Sequence, residues 1–167
     1  MRTFSDHLAH YAACHRDPRN RMTHYVGVPA IIFAAMVLLS LAPLRGLGAD
    51  ATLAQVVTVA ALAYYLLQDL ALGLALTVVF GLLLWAAGAV AALGTGIAVA
   101  VFAVAFVGGW AVQLLGHHYE GNRPALLTSL FQILVSPVFL MAEVFFALGL
   151  KGDLARDIAA RNAGRRG

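Results

Sequence analysis

The chain has 167 residues, 62% of them hydrophobic and only 11% charged, where a soluble domain carries about 25% charged residues. That balance excludes an ordinary soluble domain, points to an integral membrane protein, and leaves no stretch for a second soluble domain. The net charge of +3 gathers near the two ends rather than along one polar face, so no nucleic-acid partner is expected, and the single cysteine, Cys14, excludes an intramolecular disulfide.

Residues 3–14 place Phe4, Leu8, Tyr11 and Ala12 at helical spacing behind a capping Ser5 or Asp6, which predicts a short interfacial helix. Pro18 then pushes Asp17 out of the helical region and Asn20 tolerates a turn, so 15–29 is expected as a loop. This loop carries the first histidine motif, HRDPRNRMTHYVGVP. Arg2 followed by a polar stretch through His24 lacks the pattern of a cleavable signal, and the first span is expected to act as an anchor.

Apolar runs follow at 26–44, 51–68, 70–93, 97–115 and 125–150. A crossing needs about 20 apolar residues. Gln68 and Asp69 are expected at a tight turn, because an unbroken helix through the second and third runs would far exceed one crossing. A second polar loop is expected at 116–125, and a basic tail at 151–167. The predicted fold is an all-α, polytopic membrane helix bundle over 1–167 with four to five spans and the short interfacial helix. Its last apolar segment is expected to be bent or re-entrant, hinged near Ser136 and Pro137, returning Lys151, Arg156, Arg161, Arg165 and Arg166 to the side where the chain began.

Arg2, Arg16, Arg19 and Arg21 before the first span place the N-terminus in the cytoplasm. Four crossings then return the chain to the same face, so His15, His24, His117, His118 and Glu120 are expected together on the cytoplasmic side of a bacterial inner membrane or an endoplasmic-reticulum-like membrane. Imidazoles gathered at a membrane surface are costly unless a function holds them, and they are common ligands for transition metals. Trp110, Gln113 and His117 recur at intervals of three and four and share one face of the fourth span. Trp110 reads as an interfacial anchor or as part of the site, and Gln113 needs a specific partner within its apolar segment. His7 and His10 face headgroups or extend the site. Arg16, Arg19, Arg21 and Arg123 set topology, or one of them clamps a substrate carboxylate.

The chain lacks a zinc-protease box, a nucleophile elbow and a phosphate-binding glycine loop. Its six histidines are too few for eight-histidine di-iron chemistry and favour a single-metal site.

From about Tyr11 to Glu143 the sequence resembles the 2-hydroxy fatty acid dioxygenase family, the Mpo-type membrane proteins of fungi and their bacterial relatives. The resemblance is carried by His15, Asn20, His24, Gly27 and Pro29 in the first motif. In LLGHHYEGNRPAL and just before it, Gln113, Gly116, His117, Glu120, Pro124 and Ala125 carry it. It implies an Fe(II)-dependent dioxygenase that uses O2 to shorten a 2-hydroxy fatty acid by one carbon. On that basis His15, His24 and His117 are the expected iron ligands, with His118 or Glu120 completing the set. His15, His24, His117 and Glu120 are the expected catalytic residues, supported by Asn20, Gln113, Arg123 and Trp110 around the metal or substrate. Membrane lipid is the expected surrounding partner, and Gly73, Gly81 and Gly88 on the third span are expected to permit close helix packing or, as the alternative, an acyl groove. The competing reading is a non-enzymatic membrane protein that binds or transports a metal through the same histidines.

Overall fold

The computed structural model describes residues 3–44, 51–121 and 132–164. Among them are seven helices, as the all-α expectation requires: α1 (Phe4–Cys14), α2 (Pro18–Ser40), α3 (Leu53–Gln68), α4 (Leu70–Ala92), α5 (Thr95–Glu120), α6 (Gln132–Ala147) and α7 (Gly152–Ala163).

Three of these helices, α2, α4 and α5, are long and apolar enough to cross a membrane. The 16 residues of α3 reach about 24 Å at 1.5 Å per residue, short of a hydrocarbon core of about 30 Å. On α4, Leu74, Val78, Leu82 and Trp85 form an exposed apolar stripe, which is costly against water and natural against lipid.

The chain divides into two compact units. One comprises Met1–Tyr25 and Leu114–Gly167, the other Val26–Gln113.

In the first unit, α1 begins at a reciprocal cap. The Thr3 hydroxyl accepts from the Asp6 amide, and the Asp6 carboxylate accepts from the Thr3 amide at 2.8 Å. The chain then leaves helical geometry for only three residues, His15–Asp17. The expected loop over 15–29 is therefore mostly helix. Proline at a first helical position gives up no needed hydrogen bond, and Asp17 caps α2 by accepting from the Arg19 amide at 2.8 Å. Asn20, expected at a turn, lies inside α2, and α5 likewise continues through His117 to Glu120.

The expected hinge at Ser136 and Pro137 is displaced. Pro137 lies within α6, and the chain bends by 116° between α6 and α7. Gly149 (φ 75°) and Lys151 (φ 58°) both take left-handed backbone there, which ends a helix more sharply than one missing amide. α7 packs on α1, where Arg161 bridges Asp6 at 2.7 Å and Asp157 at 2.9 Å.

In the second unit, α3 and α4 pack together across the expected turn. Asp69 caps α4 by accepting from the Ala71 and Leu72 amides, each at 3.1 Å. Gly73 permits this, since a Cβ there would lie 2.7 Å from the Leu66 Cα. Gly81 and Gly88 have nothing within 4 Å of a Cβ position and make no such approach, a correction to the expected packing stripe. The close approach of α2 and α5 instead uses Gly27 and Gly109: a Cβ on Gly27 would meet the Gly109 carbonyl at 2.9 Å.

Candidate metal centre

His15, His24 and His117 come from three separate places in the sequence. His15 closes α1, His24 lies in the second turn of α2, and His117 lies in the last turn of α5. All three are buried, at 3%, 1% and 6% exposure, and each offers a ring nitrogen within 4.8 Å of the others. Their ring centroids are 4.6, 5.3 and 5.0 Å apart for the 15–24, 15–117 and 24–117 pairs.

Local backbone fixes two of the rings in the same way. His15 donates from Nδ1 to the Tyr11 carbonyl and His24 donates from Nδ1 to the Asn20 carbonyl, both at 2.8 Å. A carbonyl only accepts, so Nδ1 carries the proton in each and Nε2 keeps its lone pair. Among the described residues, His15 Nε2 and His117 Nδ1 are buried without a hydrogen-bond partner. Burial, with the neighbouring imidazoles, pulls the His15 pKa down to about 4, so its ring is neutral near pH 7.

A buried polar atom without a partner is costly, and two of them converging beside a third imidazole fit a cation. An all-imidazole donor set suits iron, zinc, copper and nickel. These three residues could hold such an ion.

The surrounding side chains tighten this geometry. The Tyr11 ring stacks on His15 at 4.0 Å and 6°, and its hydroxyl pairs with the Ser136 hydroxyl at 2.8 Å. Burial pushes the Tyr11 phenol pKa up, keeping it protonated. Glu120 accepts from the Arg16 amide at 2.9 Å, the Asp17 amide at 2.8 Å and the Asn20 side-chain amide at 3.2 Å. Asn20 is fully buried, and its Oδ1 lies where a Cβ on Gly116 would be 2.5 Å away. Arg21 pairs with Glu143 at 2.6 Å, and the Arg19 guanidinium covers the Tyr119 ring at 4.5 Å.

The other expected site residues are placed differently. His118 is exposed, beside the Tyr119 ring, and stands outside the buried group. Trp110 and Gln113 belong to the second unit. There Trp110 continues an aromatic row with Phe102 and Phe106, and Gln113 lies against Gly27. Arg123 lies outside the described residues.

Sequence reasoning took Tyr11 only as part of an apolar helix face and Ser136 only as part of a hinge. The spacing of four between Tyr11 and His15, repeated between Asn20 and His24, was the available signal for the carbonyl partners.

Comparison with known proteins bears on the family of the chain. A family model described as 2-hydroxy-palmitic acid dioxygenase Mpo1-like matches residues 1–148. The 2-hydroxy-palmitic acid dioxygenase MPO1 of Saccharomyces cerevisiae is 32% identical over 157 residues, covering 90% of this chain and 87% of the relative. No solved structure matches the chain. With most of its length matched by the family model, and a relative of that name aligned nearly end to end, the chain belongs to the Mpo1-like family.

Proposed function

We propose that this protein is an Fe(II)-dependent dioxygenase that carries out alpha-oxidation of 2-hydroxy fatty acids. The observation that supports it most is the buried trio His15, His24 and His117, with two ring nitrogens that lack a hydrogen-bond partner among the described residues, in a chain of the Mpo1-like family. The relative's name supplies the substrate class, a 2-hydroxy fatty acid.

The overall reaction balances with one O2. The bond between C1 and C2 breaks, C2 gains an oxygen and becomes the carboxyl carbon of the shorter acid, and C1 leaves as CO2. One water forms, and O2 takes up the four electrons that the two carbons lose.

His15, His24 and His117 would hold the iron as neutral imidazoles. When bound, the ion would supply redox chemistry and Lewis acidity toward the 2-hydroxy acid head group. The Tyr11 and Asn20 carbonyls keep the protons of His15 and His24 on Nδ1, which leaves Nε2 to face the ion. Tyr11, stacked on His15 and edge-on to His24, with Phe139 behind it at 4.9 Å, puts aromatic surface beside two of the three histidines. In this reading the acyl chain lies in membrane lipid, and both histidine motifs face the cytoplasm, where Arg16, Arg19 and Arg21 favour the negative leaflet.

The test is aerobic incubation of detergent-purified protein with Fe(II) and a 2-hydroxy fatty acid labelled with carbon-13 at C1. The expected products are unlabelled acid one carbon shorter and labelled CO2 in equal amounts. Iron binding with neither product nor O2 consumption would move the reading to a metal-binding or transport protein.

A further inference from the structure

We infer that Glu120 is a positioning residue for the three-histidine centre, one carboxylate that fixes the segments carrying His15 and His24 to the helix turn that carries His117. The inference rests on the metal reading above. Glu120 lies one turn beyond His117 on α5, so its backbone moves with that ligand. Its Oε1 accepts from the amide of Arg16, the residue that follows His15. Its Oε2 accepts from the Asp17 amide and from the Asn20 side chain, and Asn20 is the residue whose carbonyl orients His24.

The amides of Arg16 and Asp17 lie in the three-residue break between α1 and α2, where neither helix takes them up. Without Glu120 the Asp17 amide would need another acceptor in a part-buried place, the exposed Arg16 amide would turn to water, and the break that presents His15 would lose its tie to α5. All three hydrogen bonds are made to an ionised acceptor, which makes them stronger than neutral ones. The negative charge also favours a cation among neutral imidazoles without spending an oxygen on it. Gly116 lets this tie close, because a Cβ there would run into Thr23 Oγ1 and Asn20 Oδ1.

The test is titration of the purified, metal-free protein with Co(II), followed by visible absorption, for the unaltered chain, Glu120→Gln and His24→Ala. Glutamine keeps the shape but turns an NH2 group toward an amide N–H, so donor faces donor. Co(II) affinity should fall by about 10- to 100-fold, the usual cost of losing a partner of a ligand. The spectrum at saturation should keep the band positions and intensity of the unaltered protein, because the ligands are the same, whereas His24→Ala should change them. Asn20→Ser removes one of the three bonds and should give a smaller fall, which keeps the inference testable if Glu120→Gln does not fold. Unchanged affinity in either folded variant would overturn the inference. A saturated Glu120→Gln spectrum altered like that of a ligand variant would also overturn it, by making Glu120 a ligand. No Co(II) binding by the unaltered chain would overturn the metal reading itself and this inference with it.

Discussion

At the residue scale, the centre depends on a short local device used twice. A histidine four residues beyond a carbonyl donates Nδ1–H back to it, inside a helix at His24 and just past a helix end at His15, so a local backbone contact sets the tautomer. Replacing His15, His24 or His117 with alanine removes a donor at the ion rather than behind it. Product formation and iron retention should therefore each fall by more than the roughly 100-fold that marks the upper cost of a lost outer partner. Metal analysis and product mass spectrometry on folded, membrane-inserted variants check this, and retained activity in any of the three would remove that histidine from the ligand set. The three histidines were legible because imidazoles amid apolar sequence stand out. The role of Glu120 was not, since its partners lie 100 to 104 residues away and a carboxylate beside two histidines reads equally well as a ligand. The pairing of Arg21 with Glu143 was hidden for the same reason, as each charge alone looks like a topology marker or a helix end.

At the element scale, the helices were legible through apolar run length, and their ends were not. Pro18 and the turn-tolerant Asn20 marked 15–29 as a loop. Asp17 and Pro18 nevertheless form a strong helix start, and three of the polar residues around it, His15, Asn20 and His24, are buried. The C-terminal hinge was assigned to proline, while the bend follows the left-handed Gly149 and Lys151. Close approach of α2 and α5 in the first unit depends on Gly116 having no side chain. Gly116→Ala should destabilise the protein by about 1–3 kcal/mol through overpacking, whereas Gly81→Ala, in open space, should be neutral or stabilise by up to about 1 kcal/mol. Thermal unfolding in detergent distinguishes the two, and equal melting temperatures for both variants would contradict the packing assigned to Gly116. The fastening of α7 to α1 has a defined pH signature. The Thr3 amide and hydroxyl, with Arg161, hold the Asp6 carboxyl down to about 2 from its usual 3.8. A depressed carboxyl stabilises the fold above its unfolded pKa and loses that contribution as pH falls through its folded one. The melting-temperature gap between the unaltered protein and Asp6→Asn should thus be full at about pH 5 and shrink toward about pH 2. A gap independent of pH would show that the Asp6 charge contributes nothing.

At the scale of the whole molecule, composition identified a membrane protein before any motif was read, and three helices have the length and apolarity to cross. At 16 residues α3 is the shortest of the apolar helices between the two motifs, and a common face for the motifs requires it to carry the chain back across. The shared centre of His15, His24 and His117 predicts that residues 16 and 119 lie on one membrane face. Single cysteines placed there in a Cys14→Ser background should react with an impermeant thiol reagent from the same side. Labelling from opposite sides would contradict the shared centre.

The central claim is that the buried trio works as an iron centre on a 2-hydroxy acid. It is tested most directly by the yield of one-carbon-shorter acid from 2-hydroxyhexadecanoic acid under air and Fe(II), for the unaltered protein beside His117→Ala. The unaltered protein should give product that disappears when iron or O2 is withheld, and His117→Ala should give none above background. Equal product from both, or none from an iron-loaded, folded protein, would contradict it.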